Sequence, residues 1–457
     1  MTDGRQRPEA AKIGVIDAHP IEVPTEWINL VPLLPAPVPP ARDPDDGRPS
    51  RLALQERIRL RAMVEQDRSV GARIPIPGEV RAWYLAIGRP TPLVRAKALE
   101  SYLDTPARIY FKREDLLPTG SFKLNSAVAQ AYFAREEGAT ALVTETGAGQ
   151  WGHAVAWASR QFGLRTVIFW ASLSMRQKTG RHALLRMLDA ELHASPSEES
   201  AVGRALVASG GHSLGSLGTA IGEAISYAAA HPDVRYVSGS NLPHVLMHQT
   251  VIGQEVRAQL AAYGERPDVL VACVGGGSNL GGFMGPFLPD KTARGDALRL
   301  VAAESAAAPR LTQGEWRYDH ADPEGITPMT KSYTLGHDYQ LPATHVGGLR
   351  QHSGSPIVGV LRQHNVIEPV AYTELEVFDT GRLVFQTEGF LAAPESCHAL
   401  RATIEQALLA KRHRRADVIV TCVSGSGVFD MDGYVSALDD LHAVTTTCST
   451  SPRRHTS

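Results

Sequence analysis

Short β-branched or apolar runs alternate along most of this chain with longer helical patterns, the rhythm of successive βαβ units. That rhythm calls for largely parallel sheets flanked by helices, because a parallel crossover has to return over a face of its sheet. Strands are predicted at Arg108–Arg113, Thr140–Thr146, Arg165–Trp170, Arg235–Ser238, Val269–Val274, Leu298–Ala303 and Asp417–Val423. Helices are predicted at Ser121–Glu137, with Ser121 as N-cap, and at His153–Phe162, Met175–Leu188, Thr219–His231, His248–Tyr263 and Glu395–Lys411. With 457 residues the chain can build two large α/β lobes. Prolines between Pro32 and Pro40 exclude a long helix there, since each removes a backbone donor and fixes φ. The expected division is an N-terminal arm over 1–75, one lobe over 76–245, a second over 246–440 and a disordered tail over 441–457, with segments exchanged between lobes. The arm is expected to pack across a dimer.

Charge narrows the class of partner. Lys and Arg total 46 against 48 Asp and Glu, a balance that argues against nucleic-acid binding and against a polybasic membrane surface. The basic run Lys411–Arg415 reads as a solvated helix C-terminus, where cations are favoured. Cys273, Cys397, Cys422 and Cys448 include no CxxC pair, and His337, His345 and His352 have no ligand spacing, so no metal site or disulfide framework is expected. Residues 1–20 lack an apolar signal region and no window resembles a membrane span, which points to a soluble, cytoplasmic protein.

Three glycine-rich turns follow predicted strands, the place where α/β folds bind ligands. In the first, Glu145-Thr146-Gly147-Ala148-Gly149-Gln150-Trp151-Gly152, the glycines satisfy GxGxxG. A dinucleotide site also wants an acid at the end of the next strand, and that strand ends Phe169-Trp170-Ala171-Ser172. The second turn, Gly275-Gly276-Gly277-Ser278-Asn279, lets backbone N–H groups converge on an anion and suits a single phosphate. It lacks the lysine of a nucleoside-triphosphate loop. The third, Ser424-Gly425-Ser426-Gly427, offers one neutral hydroxyl at a sheet edge.

Lys123 links these turns. It sits in Gly120-Ser121-Phe122-Lys123-Leu124-Asn125, in the predicted first turn of a helix, where the dipole opposes a cation. Such a position lowers an amine pKa and favours the neutral nucleophile required for a Schiff base. A lysine nucleophile beside a one-phosphate cradle points to a phosphorylated aldehyde, for which pyridoxal 5'-phosphate is the common choice.

At these residues the chain resembles the tryptophan synthase β-subunit family of fold-type II pyridoxal-phosphate enzymes, closest to its second, stand-alone subgroup. The resemblance spans roughly 85–435 and rests on Gly88–Leu93 (GRPTPL), Lys112–Asn125 (KREDLLPTGSFKLN), Glu145–Gly152 (ETGAGQWG), His244–Glu255 (HVLMHQTVIGQE), Gly275–Asn279, Tyr333–His337, Thr387–Leu400 (TEGFLAAPESCHAL) and Ser424–Tyr434 (SGSGVFDMDGY). It implies that Lys123 carries the cofactor and moves the Cα proton, that Gly275, Gly276, Gly277, Ser278 and Asn279 hold its phosphate, and that Ser424 faces the pyridine nitrogen. Asn125 and Glu388 are likewise implied at the cofactor, Glu145 as acid–base at Cβ, and Thr146, Gly147, Ala148, Gly149 and Gln150 at the substrate carboxylate.

The implied reaction is β-replacement on L-serine or a related β-substituted amino acid through an aminoacrylate, with indole as default nucleophile. A monovalent cation (K+ or Na+), a homodimer and independence from an α-subunit are implied as well. Phe122 stands where the family has His, Ser426 and Val428 replace two further histidines, Leu349–Gly354 carries one inserted residue, and Met175–Gly180 differs from the usual run. Alternatives are a specialised β-substituted-alanine synthase using another nucleophile, a serine/threonine dehydratase, and a catalytically inactive ligand-binding relative. Lys123 with Glu145 argues against the last two.

Overall fold

The computed structural model describes residues 21–209 and 215–439; the tail expected over 441–457, with Cys448, lies outside them. Its strands are numbered β1–β14 in chain order. The larger sheet has the order β13-β10-β9-β14-β4-β3: Glu368–Tyr372, Arg299–Ser305, Val269–Cys273, Val418–Val423, Arg108–Arg113 and Leu93–Arg95. Every neighbouring pair is parallel except the edge pair β3–β4. The smaller sheet, β7-β6-β5-β8, is wholly parallel: Glu191–Ser195, Arg165–Ala171, Ala141–Thr146 and Val234–Tyr236. Two antiparallel ribbons complete the set, β1 (Glu26–Ile28) with β2 (Arg73–Pro75) and β11 (Glu315–Asp319) with β12 (Thr330–Thr334).

All seven predicted strands form, with ends displaced by no more than about two residues, the usual uncertainty of a boundary. β5, β9 and β14 are buried at every residue, so their apolar runs stood out in the sequence. The strands not foreseen are short, at sheet edges or outside the two main sheets: β7 and β13 are mostly half-exposed and mix charged with apolar residues. The sheets do not divide at residue 245. β3 and β4 belong with β9, β10, β13 and β14, so the segment carrying Lys123 leaves the larger sheet, whereas Glu145 ends a strand of the smaller one.

Three helices also differ from expectation. The Lys123 helix runs Leu124–Glu136 with Lys123 itself at the N-cap position, and the Ser121 side chain does not cap it. Ser121 is instead drawn into a bridge with Gly425. The stretch 175–188 is two helices, Ser172–Gln177 and Thr179–Met187, meeting at Lys178, and 248–263 becomes Pro243–His248 and Thr250–Ala262. The arm packs on its own chain: Trp27 and Leu30 are buried in the principal core, Trp27 Nε1 donates to Tyr84 Oη at 3.3 Å, and Ile28 N donates to Thr250 Oγ1 at 2.9 Å.

Beneath the Lys123 helix lies a fully buried set of charges. Arg89 Nε and Nη2 each donate to Glu255 at 2.9 Å, Arg89 Nη1 donates to Glu114 at 2.9 Å, and Lys112 Nζ donates to Glu255 at 2.6 Å. Two cations and two carboxylates cancel. Burial alone would push Glu114 upward, but Arg89 and Lys112 more than reverse it and hold the carboxyl below its ordinary range. Truncating one member strands the others in a dry interior. Glu255→Ala is expected to destabilise the folded chain by about 3–5 kcal/mol, read as a shift in the urea midpoint.

Candidate active site

The carboxyl ends of β5, β9 and β14 open on one cleft of about 670 Å³. Lys123, Glu145, Thr146, Gly147, Ala148, Gln150, Gly275 to Asn279 and Ser424 all line it. Gly149, Asn125 and Glu388 do not. The Asn125 amide lies in the buried charge set, accepting from Arg89 at 2.7 Å and donating to Glu114 at 3.1 Å. Glu388 accepts from Leu99 N at 2.7 Å. The second glutamate on the cleft wall, besides Glu145, is Glu395, seven residues beyond Glu388 at the start of helix Pro394–Arg412.

A hydrogen-bond bridge joins Lys123 to Glu395. Lys123 Nζ donates to Gln150 Oε1 at 3.2 Å, Gln150 Nε2 donates to Glu395 at 3.3 Å, and Glu395 also accepts from Gly348 N at 2.8 Å. Desolvation lowers the Lys123 pKa to about 8, opposed by the Glu395 charge. Burial is the largest cause, and Lys123 also stands at the N-terminal end of its helix. Phe122 places its ring 4.4 Å from the Lys123 ammonium.

Glu145 is shifted the other way. Buried at the end of β5, it has its pKa raised to about 7 by desolvation, partly offset by a hydrogen bond from Tyr236. Its Oε2 has no hydrogen-bond partner. The loop beyond it is shaped by backbone: Gly149 has φ of 84°, and a Cβ there would lie 2.5 Å from the Trp170 ring.

Across the cleft, Gly277 has φ of 123° and precedes helix Ser278–Met284, whose first N–H groups lack intrahelical partners. Asn279 Nδ2 donates to Cys273 O at 3.1 Å, while its Oδ1 is buried without a partner. Ser424 Oγ lies 2.8 Å from Ser396 Oγ and 3.4 Å from Cys273 Sγ, a neutral environment. Above the 146–150 loop, Arg181 Nη1 donates to Ala148 O at 3.0 Å, and Lys178 pairs with Asp430 at 2.5 Å, tying the broken helix 172–187 to the segment just after the Ser424 turn. Sequence reasoning did not single out Glu395, Lys178, Arg181 or Asp430, although Glu395 and Asp430 stand inside quoted motifs.

The family model for pyridoxal-phosphate dependent enzymes matches residues 85–425. A tryptophan synthase beta chain of Thermococcus onnurineus is 44% identical over 418 residues, covering 92% of this chain and 94% of its own. A tryptophan synthase beta chain 2 of Thermococcus kodakarensis is 46% identical over 419 residues, again 92% and 94%. The chain belongs to the tryptophan synthase β-chain family of pyridoxal-phosphate-dependent enzymes. A fungal L-serine ammonia-lyase from Rhizomucor miehei shares the fold, with a TM-score of 0.54 at 18% identity over 76% of this chain and 97% of that one.

Family membership makes the protein a pyridoxal-phosphate-dependent lyase of the β-replacement class, and the cleft fits that cofactor. A depressed amine, a glycine turn with free N–H groups at a helix start and a neutral serine hydroxyl are groups that suit a phosphorylated pyridine aldehyde, and the unpartnered Asn279 Oδ1 adds one buried acceptor.

Glu145 also marks stability. Its folded pKa is raised, so the folded chain holds this proton more tightly than the unfolded chain, and the carboxyl costs stability as pH rises from the unfolded value of 4.5 through about 7. Glu145→Gln removes that cost. Chemical denaturation of the cofactor-free protein should show the variant about 1–3 kcal/mol more stable than wild type at pH 8, the gap closing below pH 4.5.

Proposed function

We propose that this enzyme replaces the β-hydroxyl of L-serine with a carbon nucleophile, indole being the default. The observation that carries the reading is Glu145: a buried carboxyl with a pKa near neutrality, in one cleft with an amine depressed to about 8. β-Replacement asks one group to donate a proton to the departing hydroxyl and then to accept one from the incoming nucleophile. A pKa close to the working pH populates both forms. A dehydratase needs only the first half. Support also comes from the printed names of the relatives, tryptophan synthase beta chains.

Bound pyridoxal phosphate supplies the electron sink that acidifies Cα of an attached amino acid. In this reading Lys123 holds the cofactor covalently and then moves the Cα proton. The 275–279 turn holds the phosphate, and Ser424 offers the ring nitrogen a hydroxyl that does not keep it charged. Residues 146–150 take the substrate carboxylate through the loop that Arg181 steadies. Gln150 orients Lys123 by accepting from its ammonium, and Glu395 supports Gln150 from behind.

A second reading keeps the chemistry and changes the nucleophile, giving another β-substituted alanine. It is favoured by Phe122 in place of the family His and by the altered 349–354 segment, whose Leu349 and Gln351 line the cleft. The reading further includes a homodimer, a monovalent cation, cytoplasmic location and activity without an α-subunit, the last prompted by relatives named beta chain 2. No helix among the described residues is long and apolar enough to cross a membrane.

Lys123→Ala should abolish covalent cofactor attachment, measured by reductive trapping and mass spectrometry. With L-serine and indole, Glu145→Gln should retain the cofactor's visible absorbance yet lower kcat by about 10²–10⁴-fold. Tryptophan formation at an undiminished rate would remove Glu145 from the reaction.

A further inference from the structure

The 275–279 turn is gripped from behind by a buried cation. Arg310 begins the short helix Arg310–Gln313 that follows β10, is 2% exposed and lies outside the cleft lining, and its Nη2 donates to Gly275 O. Glu304 attracts the guanidinium, but both oxygens of that carboxylate are engaged by the same short helix. They accept from Leu311 N at 2.9 Å, from Thr312 N at 2.9 Å and from Thr312 Oγ1 at 2.7 Å. The other side of the guanidinium rests on Gly354, where a Cβ would lie 2.6 Å from Nη1.

Packing explains why the turn requires such a grip. A Cβ at Gly275 would lie 2.5 Å from Gly348 O, and one at Gly276 would lie 2.5 Å from Ser240 Cβ, so neither position accepts a side chain. Two glycines in succession leave the peptide between them free to present either its N–H or its carbonyl to the cleft, and a carbonyl there repels phosphate. Both carbonyls are claimed from outside: Gly275 O by Arg310, and Gly276 O by Ser355 N at 2.8 Å. Carbonyl and N–H point opposite ways in a trans peptide, so these contacts aim the Gly276 and Gly277 N–H groups toward the cleft that the turn lines.

Charge adds a second reason. Among the described residues that line the cleft, Lys123 is the one lysine or arginine, and the proposed function uses it at the cofactor aldehyde. Glu145 and Glu395 line the same cleft. A phosphate dianion is costly in a dry site without positive charge, and a hydrogen bond to a peptide carbonyl polarises the N–H at its other end.

We propose that Arg310 is a positioning residue for the cofactor phosphate: it fixes the Gly275–Gly276 peptide with its N–H toward the cleft and lends positive charge through that peptide. The inference rests on the reading that the 275–279 turn holds the phosphate, and deepens it.

The test compares two ligands within each variant. Pyridoxine 5'-phosphate and pyridoxine differ by the phosphate alone, and neither can bond covalently to Lys123. Their dissociation constants are measured by tryptophan fluorescence on the full chain freed of cofactor. Wild type should bind the phosphorylated ligand at least about 100-fold more tightly. Arg310→Met should lower that ratio about tenfold or more, while Arg310→Lys keeps part of it. A merely structural arginine would weaken both ligands alike and leave the ratio where it was. Should Arg310→Met not fold, Gly354→Ala, which displaces the guanidinium and keeps its charge in the chain, should lower the same ratio. An unchanged ratio in the variants that fold overturns the role of Arg310. Equal affinity of wild type for the two ligands would instead sink the phosphate reading of the turn itself.

Discussion

The floor of the active site is ionic. Arg89, Lys112, Glu114 and Glu255 are fully buried and come from four separate places: the turn before β3, β4, the short turn after β4, and helix Thr250–Ala262. Such a set is tolerable only when every charge is answered, which makes it intolerant of displacement. Asn125 is locked into it by hydrogen bonds to Arg89, Glu114 and Gln249, and stands two residues after Lys123. Its contribution to the site is thus to position the start of the lysine helix.

Above that floor, dryness does the chemical tuning. One solvent-poor cleft favours the neutral form of both groups, lowering Lys123 to about 8 and raising Glu145 to about 7. Direct contact between the two would have driven both toward their charged forms. Instead Gln150 stands next to Lys123, a neutral side chain whose amide donates onward to Glu395. The single carboxylate that acts on Lys123 is held by Gly348 N, so its pull is moderated.

Much of this was readable from the sequence because parallel strands buried on both faces write continuous apolar runs, and the turns at their ends carry glycines. Lys123, Glu145, the 146–150 loop, the 275–279 turn and Ser424 followed from those turns together with the family resemblance. Misses share a cause: tertiary partnerships between segments far apart in sequence. Glu388 and Glu395 stand in one motif, and only the fold shows that the first caps the neighbouring backbone at Leu99 while the second faces Lys123. Ser121 looked like a helix cap because the residue type fits, but the bridge to Gly425 claims that stretch for the seam between two turns. The exchange of β3 and β4 into the larger sheet is likewise a pairing fact with no local signature.

The broken helix 172–187 shows how the two sheets are tied together beside the cleft. Lys178 occupies the break, where its side chain can turn inward to Asp430, and Arg181 one turn later reaches both Asp430 and the carbonyl of Ala148. A continuous helix over 175–188 would lack that inward turn. The pair ties a segment at the edge of the smaller sheet to the turn that follows β14 of the larger one. Through Arg181 the same contact also steadies the 146–150 loop, at the Ala148 carbonyl. One broken helix therefore joins the edge of the smaller sheet to the turn beyond β14 and holds the loop that follows Glu145, so the two sheets' contributions to the cleft are tied together by the same charged contact.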